Sequence, residues 1–446
     1  MNFPIEFCKR MKSMLKTEYE DFLASFSSNN ESNAIRINPL KENAEELIFS
    51  QFEHLENVPW CEHGYYVNKD KISGNHPYHL AGLFYFQEAS AMSTGVALPI
   101  DEGDYILDLC AAPGGKSTHI ASRLSNSGLL VANEINKKRA GILSENIERM
   151  GFKNVIVTNE SPEKLESHFP AFFDKIVVDA PCSGEGMFRK EPQAIQEWSI
   201  AHTESCAERQ RHILKSAIAM LKTGGYIVYS TCTFAPCENE ETVSFILRNF
   251  PQLQLQNIPE LSMLLDGTIP FTKRIYPHKM RGEGHFVVLF KKVSDDNSVS
   301  RVQAFKDSIT KENRKYIFDF FNNFMNIKIP AGNLITFGDN VYVIPEGINI
   351  DKLKVLRPGL HLGVCKKGRF EPSHALALAL RAEDFKNTVD FSPESHDLLN
   401  YLHGNIIPCD KKGRVCVTVS NNPIGGGKAS GGILKNHYPK HLRLMN

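Results

Sequence analysis

The sequence predicts an α/β fold with a mostly parallel sheet, and three observations in its middle third support this. β-like and helical patterns alternate there, which is typical of strands joined by crossover helices. A glycine-rich turn follows the first of these strands, and a cysteine follows each of the fourth and fifth. Because the carboxyl ends of neighbouring parallel strands open into one crevice, we expect these features to meet at one site.

Strands and helices are expected to alternate along this core. Strands are predicted at residues 105–110, 129–133, 154–158, 173–179 and 226–230, with a closing strand at 285–292. Helices are predicted from about residue 116 onward, and over 137–150, 203–221 and 239–248. Gly151 stands where helices often end, and Gly224 and Gly225 are expected to end the third helix.

Smaller domains are expected on either side of the core. A helical pattern over residues 4–26 precedes a short strand at 34–38. After the core, 294–298 has the composition of a linker. Strand-like runs at 340–344 and 415–419, with a glycine-rich loop at 425–427, suggest one or two accessory domains. The predicted domains therefore cover residues 1–85, 86–293, 300–380 and 385–446.

Composition and cysteine spacing exclude several classes of protein. The hydrophobic fraction of 42% and the charged fraction of 23% are typical of soluble globular proteins. No apolar run is long enough to span a bilayer, and the first residues do not resemble a signal peptide. None of the 10 cysteines forms a Cys-x-x-Cys pair, so we expect no structural zinc or other metal and no disulfide framework. Reduced thiols in a cytoplasmic protein are the simplest interpretation.

The formal net charge is zero, but the end of the chain is basic. After Asp410 there are no acidic residues, whereas basic residues continue. The basic positions are Lys411, Lys412, Arg414, Lys428, Lys435, Lys440 and Arg443. Such a segment is expected of a surface that contacts phosphates, although a solvated basic face without a partner has the same composition.

The glycine-rich turn, Cys110-Ala111-Ala112-Pro113-Gly114-Gly115-Lys116, precedes a helix N-terminus, a common place for an adenosine-bearing ligand. A phosphate-binding P-loop would need glycine at position 110, and a dinucleotide-binding loop would need G-x-G-x-x-G; neither is present. S-adenosylmethionine needs instead a close backbone approach and an acid after the second strand for its ribose. Glu134 has that position, although an acid there can also simply cap a helix.

Cys182 and Cys232 follow the fourth and fifth strands, with Asp179 close before Cys182. A lone cysteine after a strand is usually a small buried hydrophobic residue, but two at corresponding strand ends suggest chemistry. Carbon 5 of cytosine is too weakly nucleophilic to attack a sulfonium methyl directly. Addition of a thiolate to carbon 6 activates it, helped by an acid at ring N3, for which Asp179 is placed. Amino-group methyltransferases carry an aromatic motif after the fourth strand, where this chain has Ala-Pro-Cys.

Three segments resemble the Nop/Sun family of RNA cytosine-5 methyltransferases: DLCAAPGGKST (108–118), VVDAPCSGEGMFRK (177–190) and YSTCTFAPCENE (229–240). The resemblance implies a class I, Rossmann-like S-adenosylmethionine methyltransferase core. It implies that residues 110–116 and Glu134 hold the cofactor, that Asp179 lines both cofactor and base, that Cys232 is the nucleophile and that Cys182 assists release. Lys116, Arg189 and Lys190 are implied near the cofactor carboxylate or the RNA. Ser161 departs from the acid often found there, and Asn159 is a possible substitute for its contact with adenine.

Further segments are similar to the family's bacterial ribosomal branch, usually called the RsmF type. They lie at 59–67, 76–92, 357–378 and 425–443. This implies an N-terminal RNA-binding domain, PUA-like C-terminal domains with Lys428, Lys435 and Lys440 on RNA, and cytosine in 16S rRNA near the decoding centre as substrate. The same chemistry on tRNA and a non-catalytic ribosome-assembly factor remain alternatives. Phe188, Tyr85 and Phe86 could stack on bases or pack in the core. A monomer is expected, since no coiled-coil pattern is present.

Overall fold

A mixed sheet lies at the centre of the computed structural model, which describes residues 2–27, 32–68, 70–125, 127–294 and 307–445. The parallel strands of this sheet, numbered in chain order after four N-terminal strands, are β5 (Tyr105–Asp108), β6 (Leu129–Asn133), β7 (Val155–Thr158), β8 (Phe173–Asp179) and β9 (Leu221–Thr231). Their spatial order is β7-β6-β5-β8-β9, so the chain crosses the sheet outward in both directions from β5. The predicted α/β fold with a parallel sheet is confirmed.

Antiparallel strands extend the sheet beyond β9. They are β10 (Leu253–Gln256), β11 (Leu265–Asp266), β12 (Thr272–Ile275) and β13 (His285–Lys292). β13 pairs directly with β9, as expected of the closing strand. The first residue of β13, His285, therefore lies at the same edge of the sheet as the carboxyl end of β9.

Helices cover both faces of the sheet. They are α5 (Ala89–Ala97), α6 (Gly115–Arg123), α7 (Lys137–Met150), α8 (Pro162–His168), α9 (Pro192–Glu197), α10 (Ile200–Met220) and α11 (Glu240–Asn249). Neighbouring strand residues such as Ile106 and Leu107 belong to different apolar clusters, one on each face. Both faces are buried, which explains why these strands are nearly continuous apolar runs.

The fifth parallel strand differs from its predicted bounds. It begins at Leu221 and includes Gly224 and Gly225, which were expected to end the preceding helix. That helix, α10, stops at Met220. A Cβ atom at Gly225 would lie 2.6 Å from the carbonyl oxygen of Asp174, so glycine allows β9 to approach β8 closely. The first strand, β5, also ends two residues earlier than predicted.

The N-terminal residues form a small antiparallel sheet with four helices. The strands are β1 (Ala34–Ile37), β2 (Glu56–Asn57), β3 (Gly64–Tyr66) and β4 (Phe84–Phe86), in the order β2-β3-β1-β4. The helices are α1 (Ile5–Leu15), α2 (Tyr19–Ser25), α3 (Ala44–Gln51) and α4 (Pro77–Leu80). The helical pattern predicted over 4–26 is confirmed, but as two helices: the backbone turns at Lys16, where φ is 51°, and α2 places Phe22 against Phe7.

Two further sheets follow the core. The first contains β14 (Asn333–Phe337), β15 (Asn340–Ile344), β17 (Leu360–Lys366) and β18 (Arg369–Pro372), with helices α12 (Lys311–Phe324) and α13 (His374–Leu378). Between β15 and β17, β16 (Val355–Arg357) leaves this sheet and pairs with β7 of the core. The predicted linker at 294–298 lies, apart from Ser294, outside the described residues.

The last sheet contains β19 (Thr388–Phe391), β20 (Ile407–Pro408), β21 (Gly413–Val419), β22 (Asn422–Ser430) and β23 (Ile433–Asn436), with helix α14 (His396–Leu402). The glycine-rich loop predicted at 425–427 is wrong, because these residues lie inside β22. A Cβ atom at Gly425 would lie 2.4 Å from the hydroxyl oxygen of Tyr401, and one at Gly427 would lie 2.4 Å from the carbonyl oxygen of Lys435. The glycines therefore serve close packing.

None of the helices in the described ranges combines the length and the apolar content that a bilayer-spanning helix requires.

Candidate active site

The loop between β5 and α6 carries the residues predicted to bind a cofactor: Cys110, Ala111, Ala112, Pro113, Gly114 and Gly115. The amide of Ala111 donates to the carbonyl of Asn133 at the end of β6. Side chains of α7 hold two more carbonyls, since Arg139 donates to Ala112 at 2.7 Å and Asn146 donates to Pro113 at 2.9 Å. Gly114 has a φ of 119°, a left-handed conformation that favours glycine. The loop is thus held from two sides.

Asp108, the last residue of β5, is fully buried beneath this loop. Its Oδ2 accepts a hydrogen bond from the Ser117 hydroxyl at 2.6 Å, whereas its Oδ1 has no partner among the described residues. Burial raises the pKa of Asp108 to about 7. An unpartnered buried carboxylate oxygen is costly, and a cationic ligand beside the loop would offset that cost. Asp108 was given no role from the sequence, although it begins the first motif.

Glu134 and Asn159 lie at the ends of β6 and β7. Glu134 is buried, and its Oε1 accepts the Asn136 amide at 2.8 Å, while Oε2 lies 3.6 Å from Nη1 of Arg139. The Asn159 side-chain amide donates to the carbonyls of Glu134 and Ile135, both at 2.8 Å. Asn159 therefore fixes the backbone around Glu134. The hydroxyl of Ser161 accepts from the amide of Lys164 and caps α8.

Asp179 ends β8 and pairs with Lys116 from the cofactor loop. Lys116 Nζ lies 2.7 Å from Asp179 Oδ2, and the Ser230 hydroxyl donates to Oδ1 at 2.7 Å. Burial raises the pKa of Asp179, but Lys116, His285 and the Ser230 hydrogen bond outweigh burial and hold that pKa below its usual value. Asp179 is therefore a carboxylate that accepts hydrogen bonds in the free protein, and its role as an acid at ring N3 stays a prediction.

His285 is a neighbour of Asp179 that was not predicted from the sequence. Its Nε2 lies 3.8 Å from Asp179 Oδ1 and 2.9 Å from the Thr94 hydroxyl oxygen. Burial lowers the pKa of His285 to about 4, so the imidazole is neutral at physiological pH. In the sequence, only the position of His285 at the start of the apolar run of β13 could have suggested that it belongs to the site.

The two cysteines that follow β8 and β9 are adjacent. Sγ of Cys182 lies 2.9 Å from Sγ of Cys232, and the Cys232 amide also points at the Cys182 sulfur, 3.3 Å away. Both are free and half-buried. The hydrogen bond with Cys232, together with burial, raises the pKa of Cys182 well above its usual value. Cys182 thus keeps its proton and can donate it toward the Cys232 sulfur.

Two buried carboxylates stand behind the cysteines, and neither was given a role from the sequence. Glu185 accepts hydrogen bonds from the amide of Phe234 at 3.1 Å and from the indole of Trp198 at 2.7 Å, and forms an ion pair with Arg10 of α1 at 2.5 Å. Glu238 accepts from Ser183, the residue after Cys182. Both lie inside the motif segments 177–190 and 229–240. In the sequence, only the apolar and small residues around them could have suggested that they are buried near the site.

Arg189 and Lys190, predicted to contact cofactor or RNA, are engaged with Glu283. Arg189 makes two hydrogen bonds of 2.9 Å to its carboxylate, and Lys190 Nζ lies 3.5 Å away. The Arg189 side chain is 16% exposed. Phe188 and Tyr85 are buried and Phe86 is half-buried, so core packing accounts for Phe188 and Tyr85.

The predicted basic residues at the end of the chain lie apart from these strand ends, on the last sheet. Arg414, Lys428 and Lys435 are direct cross-strand neighbours on β21, β22 and β23, so they share one face. Residues on the other face, such as Ala429 and Leu434, are buried. Lys440 follows in a short 3-10 turn and is exposed. Within the described ranges, no three His, Cys, Asp or Glu side chains gather as a metal site would require.

Known family models match four segments of this chain. The family described as 16S rRNA methyltransferase RsmB/F matches residues 95–291. The N-terminal domain of 16S rRNA methyltransferase RsmF matches 3–89, the RsmF first C-terminal domain matches 319–380, and the RsmF PUA domain matches 388–444.

Curated relatives align over nearly the whole chain. A Ribosomal RNA small subunit methyltransferase F from Shewanella woodyi is 34% identical over 95% of this chain and 92% of its own. One from Vibrio vulnificus is 32% identical over 98% and 97%. Among solved structures, a methyltransferase homolog protein from Pyrococcus horikoshii covers 65% of this chain and 96% of its own at 28% identity, with a TM-score of 0.57. NSun6 from the same organism, solved with SFG, covers 66% and 99% at 26% identity, with a TM-score of 0.56.

Proposed function

The chain belongs to the family of 16S rRNA methyltransferases RsmB/F, and we propose that it transfers a methyl group from S-adenosylmethionine to carbon 5 of a cytosine in 16S rRNA. The observation that carries this proposal is the pair of sulfur atoms at the ends of β8 and β9. Methylation at carbon 5 requires a nucleophilic thiol, whereas methylation of an amino group does not. The curated relatives named for the small ribosomal subunit support the choice of RNA.

We propose that residues 110–116, Glu134 and Asp108 hold S-adenosylmethionine, which supplies an electrophilic methyl group on a positively charged sulfur. The loop presents only short side chains up to Gly115, so its backbone is open to close approach. The unpartnered Oδ1 of Asp108 fits a cationic ligand. Glu134 has an acidic side chain at the end of β6, where a ribose is bound in related nucleotide folds. The NSun6 structure was solved with SFG, which is consistent with a ligand site in this family's fold.

In the proposed first step, the Cys232 thiolate forms a bond to carbon 6 of the cytosine, and the electrons of the 5,6 double bond move toward N3. Lys116, the cation beside both Asp179 and the sulfur pair, stabilises the negative charge that develops on the ring. The Asp179 carboxylate accepts a hydrogen bond from the exocyclic amino group, a donor that distinguishes cytosine from uracil. Carbon 5 would then form a bond to the methyl group that S-adenosylmethionine supplies, the electrons of the sulfur–methyl bond would stay on the sulfur, and the ring would become neutral.

In the proposed release step, carbon 5 loses its proton and Cys232 leaves. The electrons of the C5–H bond reform the 5,6 double bond, and those of the C6–S bond return to Cys232 as thiolate. Cys182 is the base, after giving its own proton to solvent. Before the reaction, the negative charge on the Cys232 thiolate opposes the loss of the Cys182 proton. In the adduct Cys232 is a neutral thioether, so the pKa of Cys182 falls and it can take the carbon 5 proton.

We also propose that the row Arg414, Lys428 and Lys435 contacts the RNA backbone, with Lys440 beside it. Like charges directly opposite on neighbouring strands repel, and an anionic partner would offset that repulsion. Arg189 and Lys190 do not belong to this row of RNA-contacting residues, because Glu283 already neutralises part of their charge. This surface and the N-terminal residues 1–85 would hold the rRNA, while residues 86–293 perform the chemistry.

The experiment that tests the function uses methyl-labelled S-adenosylmethionine with naked 16S rRNA, assembled small subunits or bulk tRNA. Wild type and Cys232→Ala are compared side by side. We expect labelled 5-methylcytosine in rRNA or subunits with wild type alone. Label in tRNA alone would overturn the substrate but keep the chemistry. Absence of label from every RNA, with cofactor binding demonstrated, would favour a non-catalytic RNA-binding factor.

A further inference from the structure

Glu238 and Gln210 hold the peptide units on both sides of Cys182, and neither side chain bonds the backbone beside Cys232. From this arrangement we infer that Glu238 is a positioning residue, which holds the Cys182 loop for the release step without being needed for attack by Cys232. The inference rests on the proposed function, because it concerns the step in which carbon 5 loses its proton to Cys182. The hydrogen bonds of the Glu238 carboxylate go to Ser183 and Gln210, so its effect on either sulfur must pass through the loop.

The backbone is held on both sides of Cys182. Glu238 Oε2 accepts the amide of Ser183 at 3.0 Å, and Oε1 accepts the Ser183 hydroxyl at 2.5 Å. Gln210 donates from one nitrogen to Glu238 at 2.8 Å and to the carbonyl of Pro181 at 3.1 Å. Glu238 and Gln210 are fully buried, so water does not compete for these hydrogen bonds. The peptide units before and after Cys182 therefore depend on one carboxylate.

A buried tyrosine holds Gln210 and the backbone of Glu238 in place. Tyr229 is a fully buried residue of β9, and its hydroxyl lies 2.9 Å from Oε1 of Gln210 and 2.5 Å from the carbonyl oxygen of Glu238. Burial raises the pKa of Glu238 to about 7, whereas the donors on Ser183 and Gln210 favour its charged form. Burying these polar groups costs free energy unless each of them is hydrogen-bonded. Here both carboxylate oxygens of Glu238 accept from a donor.

The Cys232 loop is held by residues other than Glu238 and Gln210, and one of them, Gly186, lies on the loop that carries Cys182. The amide of Gly186 donates to the carbonyl of Cys232 at 2.8 Å, and Asn239 donates to the carbonyl of Thr233 at 2.9 Å. Asn239 also accepts from the Thr231 hydroxyl at 2.6 Å. The hydroxyls of Ser183 and Thr233, 2.8 Å apart, join the two loops. Loss of the Glu238 carboxylate should therefore displace Cys182 much more than Cys232.

The test separates attack from release with Glu238→Met, a variant of similar length that offers Ser183 and Gln210 no acceptor oxygen. Single-turnover reactions with 16S rRNA are stopped in denaturant, and covalent protein–RNA and free methylated RNA are followed on gels. We expect the rate of covalent adduct formation to change less than about 3-fold, while release slows by about 10- to 100-fold, the cost of a misplacement near 1 Å. The covalent band should then accumulate as it does in Cys182→Ala.

Conservative and control variants give the result its meaning. Glu238→Gln should release RNA at nearly the wild-type rate, because its amide can donate to the Ser183 hydroxyl while its oxygen accepts from Ser183 and Gln210. Glu241→Met changes an exposed acid at the start of α11, three residues after Glu238, and should leave both rates unchanged. Ser183→Ala removes a smaller part of the network and should slow release by a smaller factor. It decides the question if Glu238→Met does not fold.

Four results would overturn the inference. Equal slowing of attack and release in Glu238→Met would indicate general damage to the site. Accumulation in Glu238→Gln as strong as in Glu238→Met would show that the charge, and not the position of the loop, matters. Wild-type release in both Glu238→Met and Ser183→Ala would show that the loop needs no such support. If Cys182→Ala itself accumulates no covalent band, the proposed release role fails, and the inference is overturned with it.

Discussion

Sγ of Cys182 and Sγ of Cys232 lie 2.9 Å apart, although the two residues are 50 positions apart in the sequence. The distance follows from the sheet, because β8 and β9 are adjacent parallel strands in which Asp179 pairs with Ser230. Each strand is followed by a short loop that returns its cysteine to the same crevice. One thiol can therefore form a bond to a substrate while the other is within reach of the same ring.

The Lys116–Asp179 ion pair should stabilise the protein at neutral pH as well as serve the reaction. Asp179 has a lowered pKa, so its contribution is present above about pH 4 and is lost as pH falls through that lowered pKa. Lys116→Met leaves a carboxylate without its cation and should cost about 3 kcal/mol in unfolding free energy at pH 7. Urea unfolding of wild type and variant measures this loss.

The same variant gives a pH signature. Without Lys116, burial should raise the pKa of Asp179, so the deficit of Lys116→Met should shrink as pH falls toward about 4 and the carboxyl protonates. Lys116→Met combined with Asp179→Asn should not show this recovery. A deficit of equal size at neutral pH and near pH 4 would contradict the assignment of the ion pair.

Asp108 should link cofactor binding to pH. Its pKa of about 7 in the folded protein lies above the ordinary value, so the free protein should lose stability as pH rises from about 4 to about 7. Asp108→Asn should flatten this dependence and weaken binding of S-adenosylmethionine by about 10-fold or more, because a charged partner is lost. Calorimetric titration measures the affinity. Unchanged affinity together with an unchanged pH slope would remove Asp108 from the cofactor site.

The N-terminal helix should matter for catalysis through Arg10. This side chain pairs with the fully buried Glu185, which in turn accepts the amide of Phe234 in the Cys232 loop. Arg10→Met should lower the unfolding free energy by about 2–3 kcal/mol and reduce turnover, with cofactor affinity unchanged. Lys9→Met, which breaks an exposed pair with Glu6, is the matched control and should cost less than about 1 kcal/mol. Equal effects of the two variants would contradict a role for the Arg10 pair.

The basic row should bind RNA through charge. Lys428→Glu with Lys435→Glu should weaken rRNA binding and reduce the slope of log affinity against log salt by roughly 0.7–0.9 for each lost phosphate contact. Lys367→Glu, at an exposed turn between β17 and β18, is the control. Turnover at saturating RNA should stay near the wild-type value, because the row lies on a different sheet from the cysteines. Wild-type affinity and salt slope would show that RNA does not contact this face.

Periodicity and motif order predicted the strands of the core well, because parallel strands buried on both faces are distinctive apolar runs. The pair of cysteines was also predictable, since adjacent parallel strands must bring their carboxyl ends together. The errors occurred where tertiary contacts override local signals. Gly224 and Gly225 look like a helix end, and Gly425 to Gly427 look like a loop, yet both sets lie in strands, where Gly225, Gly425 and Gly427 pass close to neighbouring atoms.

Contacts between residues that are distant in the sequence could not be predicted either. Arg10 and Glu185 are separated by 175 positions, and His285 reaches Asp179 from β13, so no local pattern indicates either contact. The protonation state of Asp179 was equally hidden, because it depends on Lys116 from a different loop. Glu238 lies within a quoted motif, but its role follows only from the donors that surround it.

The most direct test of the two-cysteine mechanism is the capture of RNA by the release-deficient variant. Cys182→Ala is incubated with S-adenosylmethionine and end-labelled 16S rRNA, denatured and run on a gel beside Cys182→Ala/Cys232→Ala. We expect a slow-migrating covalent protein–RNA band with the single variant and no such band with the double variant. A band that persists in the double variant would show that Cys232 is not the nucleophile, and no band in either would show that Cys182 does not release the RNA.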